Sequence, residues 1–208
     1  MALACVWAGR AGRPDTTRKP TDPIREGRRR MIYWAVILSA ILLSFERLAY
    51  YYVSHYPQRW RALCERPALA RLGGPVAAIR RLFYVFKGIQ GVVFLGWCVL
   101  FSDSGLPLPT AGPVAATVGG LLLAAGVVLN LSVFRRLGTT GVFYGAQLGH
   151  QVAWVRGFPF SLLRHPQYVG TLLSIWGFFV LMRFPHGDWI VLPLLETAYY
   201  ALGAYYEV

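Results

Sequence analysis

Five stretches of the chain are apolar enough to read as helices, and polar or arginine-rich segments separate most of them. The first, "IYWAVILSAILLSF" from Ile32 to Phe45, is halted by Glu46 and Arg47. Three longer runs follow, at about 82–102 with Lys87 near its start, at 112–134 and at 168–184, and a last one reaches from Trp189 to Tyr206. A backbone surrounded by lipid must satisfy its hydrogen bonds within its own segment, which demands helices. Crossing the hydrocarbon core takes about 20 residues. The four later runs reach that length with their flanks, whereas the first is short and suits a re-entrant or interfacial segment. The fold class this predicts is all-α, a polytopic membrane helical bundle of four transmembrane helices plus one N-terminal re-entrant or transmembrane helix.

Charge orients these segments. Residues 54–81 carry six arginines and one acid, and residues 135–167 carry Arg135, Arg136, Arg156 and Arg164. The stretch 103–111, "DSGLPLPTA", has no basic residue. Lys and Arg concentrate on the cytoplasmic side of membrane proteins, so the first two loops are expected there and the third opposite. The end of the chain then falls on the cytoplasmic side. The basic leader joins it only if the first segment turns back without crossing, which favours the re-entrant reading. Residues 1–30, rich in Arg, Pro, Thr and Gly and without hydrophobic periodicity, are expected to be a disordered basic extension. Asp15, Asp22 and Glu26 argue against a transit peptide.

Composition agrees: 56% of the 208 residues are hydrophobic and mean hydropathy is +0.45, too apolar for an ordinary soluble domain. The net charge of +12 raises the question of nucleic acid. The arginines flank apolar runs and form no face of their own, so no nucleic-acid partner is expected. Cys5, Cys64 and Cys98 have neither a CxxC nor a Cys/His ligand spacing, and no metal site is expected.

The chemistry concentrates near the C-terminal end. In "RHPQYVG", Pro166 suits the first position of a helix, where its missing N–H costs nothing. His165 then precedes the helix, and its open amides with Arg164 form a place for a carboxylate or phosphate. A snorkelling arginine beside an interfacial histidine explains the same letters. Glu196 and Glu207 lie eleven residues apart, about three helical turns, so they share a stripe with Tyr200 and Gly203. An ionisable residue inside a membrane run is a functional candidate by default. Small residues in "VGGLLLAAGVVLNLS" allow close approach of a neighbouring helix or of a ligand. The three glycines of "RRLGTTGVFYG" match no phosphate-loop pattern.

"RHPQYVG", followed by an apolar hairpin and a terminal "YYE", resembles the membrane methyltransferases that include isoprenylcysteine carboxyl methyltransferase and the phospholipid N-methyltransferases. "GVVLNLSVFRRLGTTGVFYG" and "GFPFSLLRHPQY" resemble the phosphatidylethanolamine N-methyltransferase branch, over about residues 120–208. The resemblance makes 31–208 a membrane methyltransferase domain. It implies S-adenosyl-L-methionine bound at the cytoplasmic face and a phospholipid amine arriving through the bilayer of the endoplasmic reticulum or a bacterial inner membrane. It places His165, Pro166, Gln167, Tyr168 and Glu207 on the cofactor, with Arg164 beside them. The family's GxG on the third helix falls on Ala124, Ala125 and Gly126, and its terminal Glu-Glu run is represented by Glu207 alone.

Methyl transfer to an amine depends on positioning and on removing a proton from the ammonium. Glu196 and His165 are the candidates for that catalytic role, with Tyr168, Trp176, Tyr199 and Tyr206 as cation–π partners. Two alternatives stay open: methylation of a prenylated carboxylate or another lipophilic acceptor, and a non-catalytic protein with a degenerate site. The sequence leaves the oligomeric state and the number of methylation steps open.

Overall fold

The structure, a computed structural model, describes residues 23–153 and 155–206. All regular structure among them is helical: α1 (Pro23–His55), α2 (Pro57–Cys64), α3 (Pro67–Ala70), α4 (Pro75–Leu100), α5 (Pro113–Val142), α6 (Pro166–Arg183) and α7 (Val191–Tyr206). Residues 1–22 of the expected extension, together with Glu207 and Val208, lie outside the described residues.

The chain divides into two units, one ending at Trp34 and one running from Ala35. In the first, the opening turns of α1 carry a local Arg30–Glu26 ion pair at 2.7 Å. Helix therefore begins at Pro23, inside the stretch expected to be disordered. In the second unit, five helices open on proline at their first positions, at Pro57, Pro67, Pro75, Pro113 and Pro166. The fixed φ of proline is preorganised for a first turn, and its lost donor is one that a helix start leaves unpaired anyway. Much of the basic stretch 54–81, expected to be loop, is accordingly helical.

The first apolar segment also departs from expectation. α1 runs unbroken for 33 residues with Glu46 and Arg47 inside it, and nothing in it reverses as a re-entrant segment must. Three helices are long and apolar enough to cross a membrane: Arg29–His55 of α1, all of α4 and all of α5. α6 and α7 have 18 and 16 residues, so they extend about 27 and 24 Å and fall at or below a hydrocarbon thickness of about 30 Å. The count of four crossings plus one is therefore not reproduced, though the all-helical membrane architecture is. Large side chains such as Leu38, Leu48, Val92, Leu121 and Leu131 face outward, as a lipid-facing surface requires.

Glycines decide how α5 and α6 meet. Gly119 and Gly126 on α5 oppose Gly177 and Gly170 on α6, so backbone touches backbone. A Cβ on Gly177 would lie 2.7 Å from the Gly119 carbonyl oxygen, and one on Gly126 would overlap the carbonyl of Gly170. Such small-residue contacts replace the hydrophobic drive that lipid abolishes between helices.

α5 bends at Gly138, whose φ of 62° and ψ of −179° lie outside the helical region. Positive φ is favourable for glycine and costly for side chains that carry a Cβ. Beyond the bend, Phe143 and Leu148 join Tyr50, Val53, Trp60, Cys64, Ala78 and Ile79 in a buried cluster. That cluster packs the ends of α1, α2 and α4 together, and Trp60 donates its indole N–H to the Pro75 carbonyl at 3.1 Å.

At the other end of the bundle Arg183 is buried. Its Nη2 donates to the Phe101 carbonyl and to Asp188 Oδ1, both at 2.7 Å, while Nε donates to Asp188 Oδ2 at 2.9 Å. The Trp97 indole reaches the same carboxylate at 3.0 Å.

Candidate functional site

Between α1, α4, α5, α6 and α7 lies a cavity of about 560 Å³. That is within the range of small-molecule sites. Its walls are mixed: Phe83, Phe94, Phe134 and Phe178 give apolar surface, while Gln90, Asn130, Gln167 and Tyr168 give polar atoms.

Charged residues inside apolar helices form one side. α1 presents Glu46, Arg47 and Tyr50, with Tyr50 one turn on from the two charged residues. Lys87 and Gln90, one turn apart on α4, meet them. Lys87 Nζ lies 3.2 Å from Glu46 Oε1, and it donates to Glu46 Oε2 at 3.3 Å, to Gln90 at 3.1 Å and to the Tyr200 hydroxyl at 3.4 Å. Gln90 donates from Nε2 to Glu196 Oε1, so α4 bridges α1 and α7 through one side-chain network. Glu196 is 2% exposed.

Arg47 is arranged differently. Its guanidinium sits 3.8 Å from the centroid of the Tyr200 ring, with the Tyr50 and Tyr168 rings at 5.7 Å. Its side chain is 10% exposed, yet Nε, Nη1 and Nη2 have no hydrogen-bond partner among the described residues. The Asn130 amide oxygen is likewise buried without one. Burying such groups unpaired is costly, so native interiors rarely leave them so.

The residues expected from the sequence divide into three sets. α6 opens at Pro166 with His165 just before it, as the proline implies, and Gln167 and Tyr168 face the cavity. His165 does not line the cavity; its ring stacks on Tyr168 at 5.7 Å, while Arg164 is exposed and Pro166 buried. Glu196 enters through Gln90. Ala124 and Ala125 are exposed, and Gly126 is taken up by the contact with α6, so this trio lines no part of the cavity. Glu207 lies outside the described residues. Of the expected aromatic partners, Tyr168 lines the cavity, whereas the Trp176 indole donates to Thr197 and the Tyr199 hydroxyl to the Ala40 carbonyl. Glu46, Arg47, Lys87 and Gln90 were not foreseen as a site. Their signal was present as polar and charged letters within or against apolar runs, and Glu46 and Arg47 were read as a stop instead of a core.

Fold and cavity define an integral membrane helical bundle built around a chamber of mixed polar and aromatic walls. Residues 114–208 match the family described as Phospholipid methyltransferase. The chain is 32% identical over 139 residues to the phosphatidyl-N-methylethanolamine N-methyltransferase of Arabidopsis thaliana, covering 67% of this chain and 75% of that protein. It is 36% identical over 96 residues to the human phosphatidylethanolamine N-methyltransferase, covering 46% and 47% of the two chains. An Emericella nidulans protein named for the monomethyl substrate is 42% identical over 71 residues, covering 33% of this chain and 35% of that protein. The match thus spans about half the length of the human relative. No solved structure matches the chain at a significant level. The chain belongs to the phospholipid methyltransferase family and is a methyltransferase of the membrane.

Proposed function

We propose that this protein methylates the amine of phosphatidylethanolamine, or of its monomethyl and dimethyl forms, towards phosphatidylcholine, with S-adenosylmethionine as methyl donor. The observation that carries the reading is the chamber of about 560 Å³, polar and aromatic at once, inside an apolar bundle of this family. A phospholipid headgroup needs polar walls, and its amine must lose a proton away from bulk water.

The donor supplies an electrophilic methyl group on a sulfonium when bound. The residues fit such a molecule: Gln167 and Tyr168 present hydrogen-bonding groups at the start of α6, and Asn130 offers an unpaired amide oxygen. Arg164, His165, Pro166 and Glu207 complete the proposed cofactor set at that end. Ala124, Ala125 and Gly126 belong to it only through closeness of backbone, since the Gly126 surface already meets Gly170.

The chain's own part is to orient and to accept a proton. The Tyr168 ring, which lines the cavity, can hold an ammonium by cation–π attraction at each stage of methylation, whereas Arg47 already covers the Tyr200 ring at 3.8 Å. Glu196, hydrogen-bonded to the cavity-lining Gln90, and His165, behind Tyr168, are the proposed acceptors of the ammonium proton. The arginine-rich segments support a cofactor end that faces the cytoplasm, in the endoplasmic reticulum membrane or a bacterial inner membrane. The relatives are named for a phospholipid amine and not for a prenylated carboxylate, which disfavours that alternative, and a non-catalytic role is likewise disfavoured.

The test is transfer of radiolabelled methyl from S-adenosylmethionine to defined phospholipids by the purified protein. Label in mono-, di- or trimethylated ethanolamine lipid, lost in Glu196→Gln, is the expected result and counts the steps. Absence of label from all three acceptors refutes the proposal.

A further inference from the structure

A second hollow, a groove of about 100 Å³, lies between α1 and α7, with Leu48 and Tyr51 on one wall and Leu202 and Gly203 on the other. Arg47, Tyr50 and Tyr168 line both this groove and the main cavity, so the two hollows meet at the guanidinium. Leu48 and Leu202 are exposed on the outward apolar surface, which makes the groove a lateral opening towards lipid.

Arg47 is charged, nearly buried, and without a hydrogen bond among the described residues. Its nearest carboxylate oxygen, on Glu46, stands at 3.4 Å, and that carboxylate is already held by Lys87. The Tyr200 ring supports the guanidinium, and the donor fork in the guanidinium plane remains unused. Such a fork matches a phosphate through paired, charge-assisted bonds. α1 continues eight residues past Arg47 to His55, so the guanidinium sits about 12 Å below that end of the helix, at a depth a lipid headgroup can reach by sliding along the groove.

We propose that the groove between α1 and α7 is the lateral way in for the phospholipid and that Arg47 anchors its phosphate, holding the amine two carbons further on within the chamber beside Glu46. The assignment rests on the phospholipid reading above and specifies how that substrate is held. It makes Arg47 a substrate-binding residue, and it makes the groove the part of the fold that selects a phosphodiester over an uncharged lipid.

Two measurements test it, and the first needs no turnover. Purified full-length protein in detergent is titrated with fluorescent phosphatidylethanolamine and with fluorescent diacylglycerol of the same acyl chains. The wild type should prefer the phospholipid, Arg47→Ala should lose that preference by about tenfold or more, and Arg47→Lys should restore part of it. Equal binding of the two lipids by the wild type, or an unchanged preference in Arg47→Ala, overturns the anchor even if methylation is observed.

The second measurement is steady-state kinetics. Arg47→Ala should raise KM for the phospholipid about tenfold while KM for S-adenosylmethionine stays within about twofold. A rise in the donor's KM alone assigns Arg47 to the donor's carboxylate and overturns the proposal. Ser54→Phe, two turns along α1 from Arg47, fills the groove and leaves the Arg47 side chain unaltered; it too should raise the phospholipid KM, and an unchanged value overturns the groove as the route. Failure of the wild type to methylate any lipid refutes the function above, and the binding comparison then still decides the phosphate anchor.

Discussion

Replacing Gly177 by alanine adds one methyl group where α6 meets α5. The new Cβ would stand 2.7 Å from the Gly119 carbonyl oxygen and 2.8 Å from the Leu123 amide nitrogen. Ordinary contact needs about 3.5 Å, so the helices must part by about 0.8 Å. Overpacking costs about 1–3 kcal/mol, and two backbone atoms that cannot rotate away put this case at about 2–3 kcal/mol. The higher helix propensity of alanine returns up to about 1 kcal/mol, leaving a net loss of about 1–2 kcal/mol. For a chain of this size that lowers the midpoint of thermal unfolding by about 2–8 °C. Gly120→Ala on α5 is the control, because nothing lies within 4 Å of its added Cβ, and it should be neutral or slightly stabilising. Both variants are purified in the same detergent and unfolded by heat with near-ultraviolet circular dichroism as the readout. A Gly177→Ala midpoint equal to wild type, or equal losses in the two variants, refutes the backbone contact between α5 and α6. Ser174, Ile175 and Phe178 line the chamber from the same stretch of α6, so the variant should also reduce methyl transfer in proportion.

Further predictions follow from single contacts. Glu196→Gln conserves shape and removes the proposed proton acceptor, so kcat should fall about a hundredfold or more while the fold, read by circular dichroism, persists. Lys87→Met strips the buried Glu46 carboxylate of its ammonium partner, leaving Arg47 at 3.4 Å, and should cost about 3 kcal/mol; adding Glu46→Gln should recover most of that loss, and strict additivity of the two changes refutes the coupling. Arg183→Met strips three hydrogen bonds from Asp188 and Phe101 and should lower the unfolding midpoint as strongly, measured as above. Burial pushes the Cys64 thiol up from its ordinary value, so less of it is thiolate; maleimide should spare it in the native protein and label it after denaturation.

The elements legible in the sequence were those set by local chemistry. Pro166 announced the start of α6 because a proline at that place restricts its own φ whatever surrounds it. The same rule at Pro57, Pro67 and Pro75 would have turned the basic loop into helices, and there the arginine count outweighed it. Glu46 and Arg47 were misread for a different reason. Averaged hydropathy sees two charges ending an apolar run, but the partner that makes Glu46 tolerable is Lys87, on another helix and 41 residues away. The half of the site on α6 and α7 was therefore visible as a motif, whereas the half on α1 and α4 exists only once the helices are side by side. Gly126 shows the converse. A small residue on a membrane helix fits a ligand or a neighbour equally well, and only packing against Gly170 tells which it meets.

The bend at Gly138 makes one polypeptide element serve as both upright and roof. Below it, Leu123, Asn130 and Phe134 of α5 stand as a side of the chamber; above it, Gly141, Val142 and Phe143 fold across its basic end. The two surfaces are joined by a single peptide corner and not by a long tether, so the direction of the upright sets that of the roof. A residue that carries a Cβ would cost about 1–3 kcal/mol in that conformation, so a substitution there shifts the corner and with it the depth of the space as well as the position of its side.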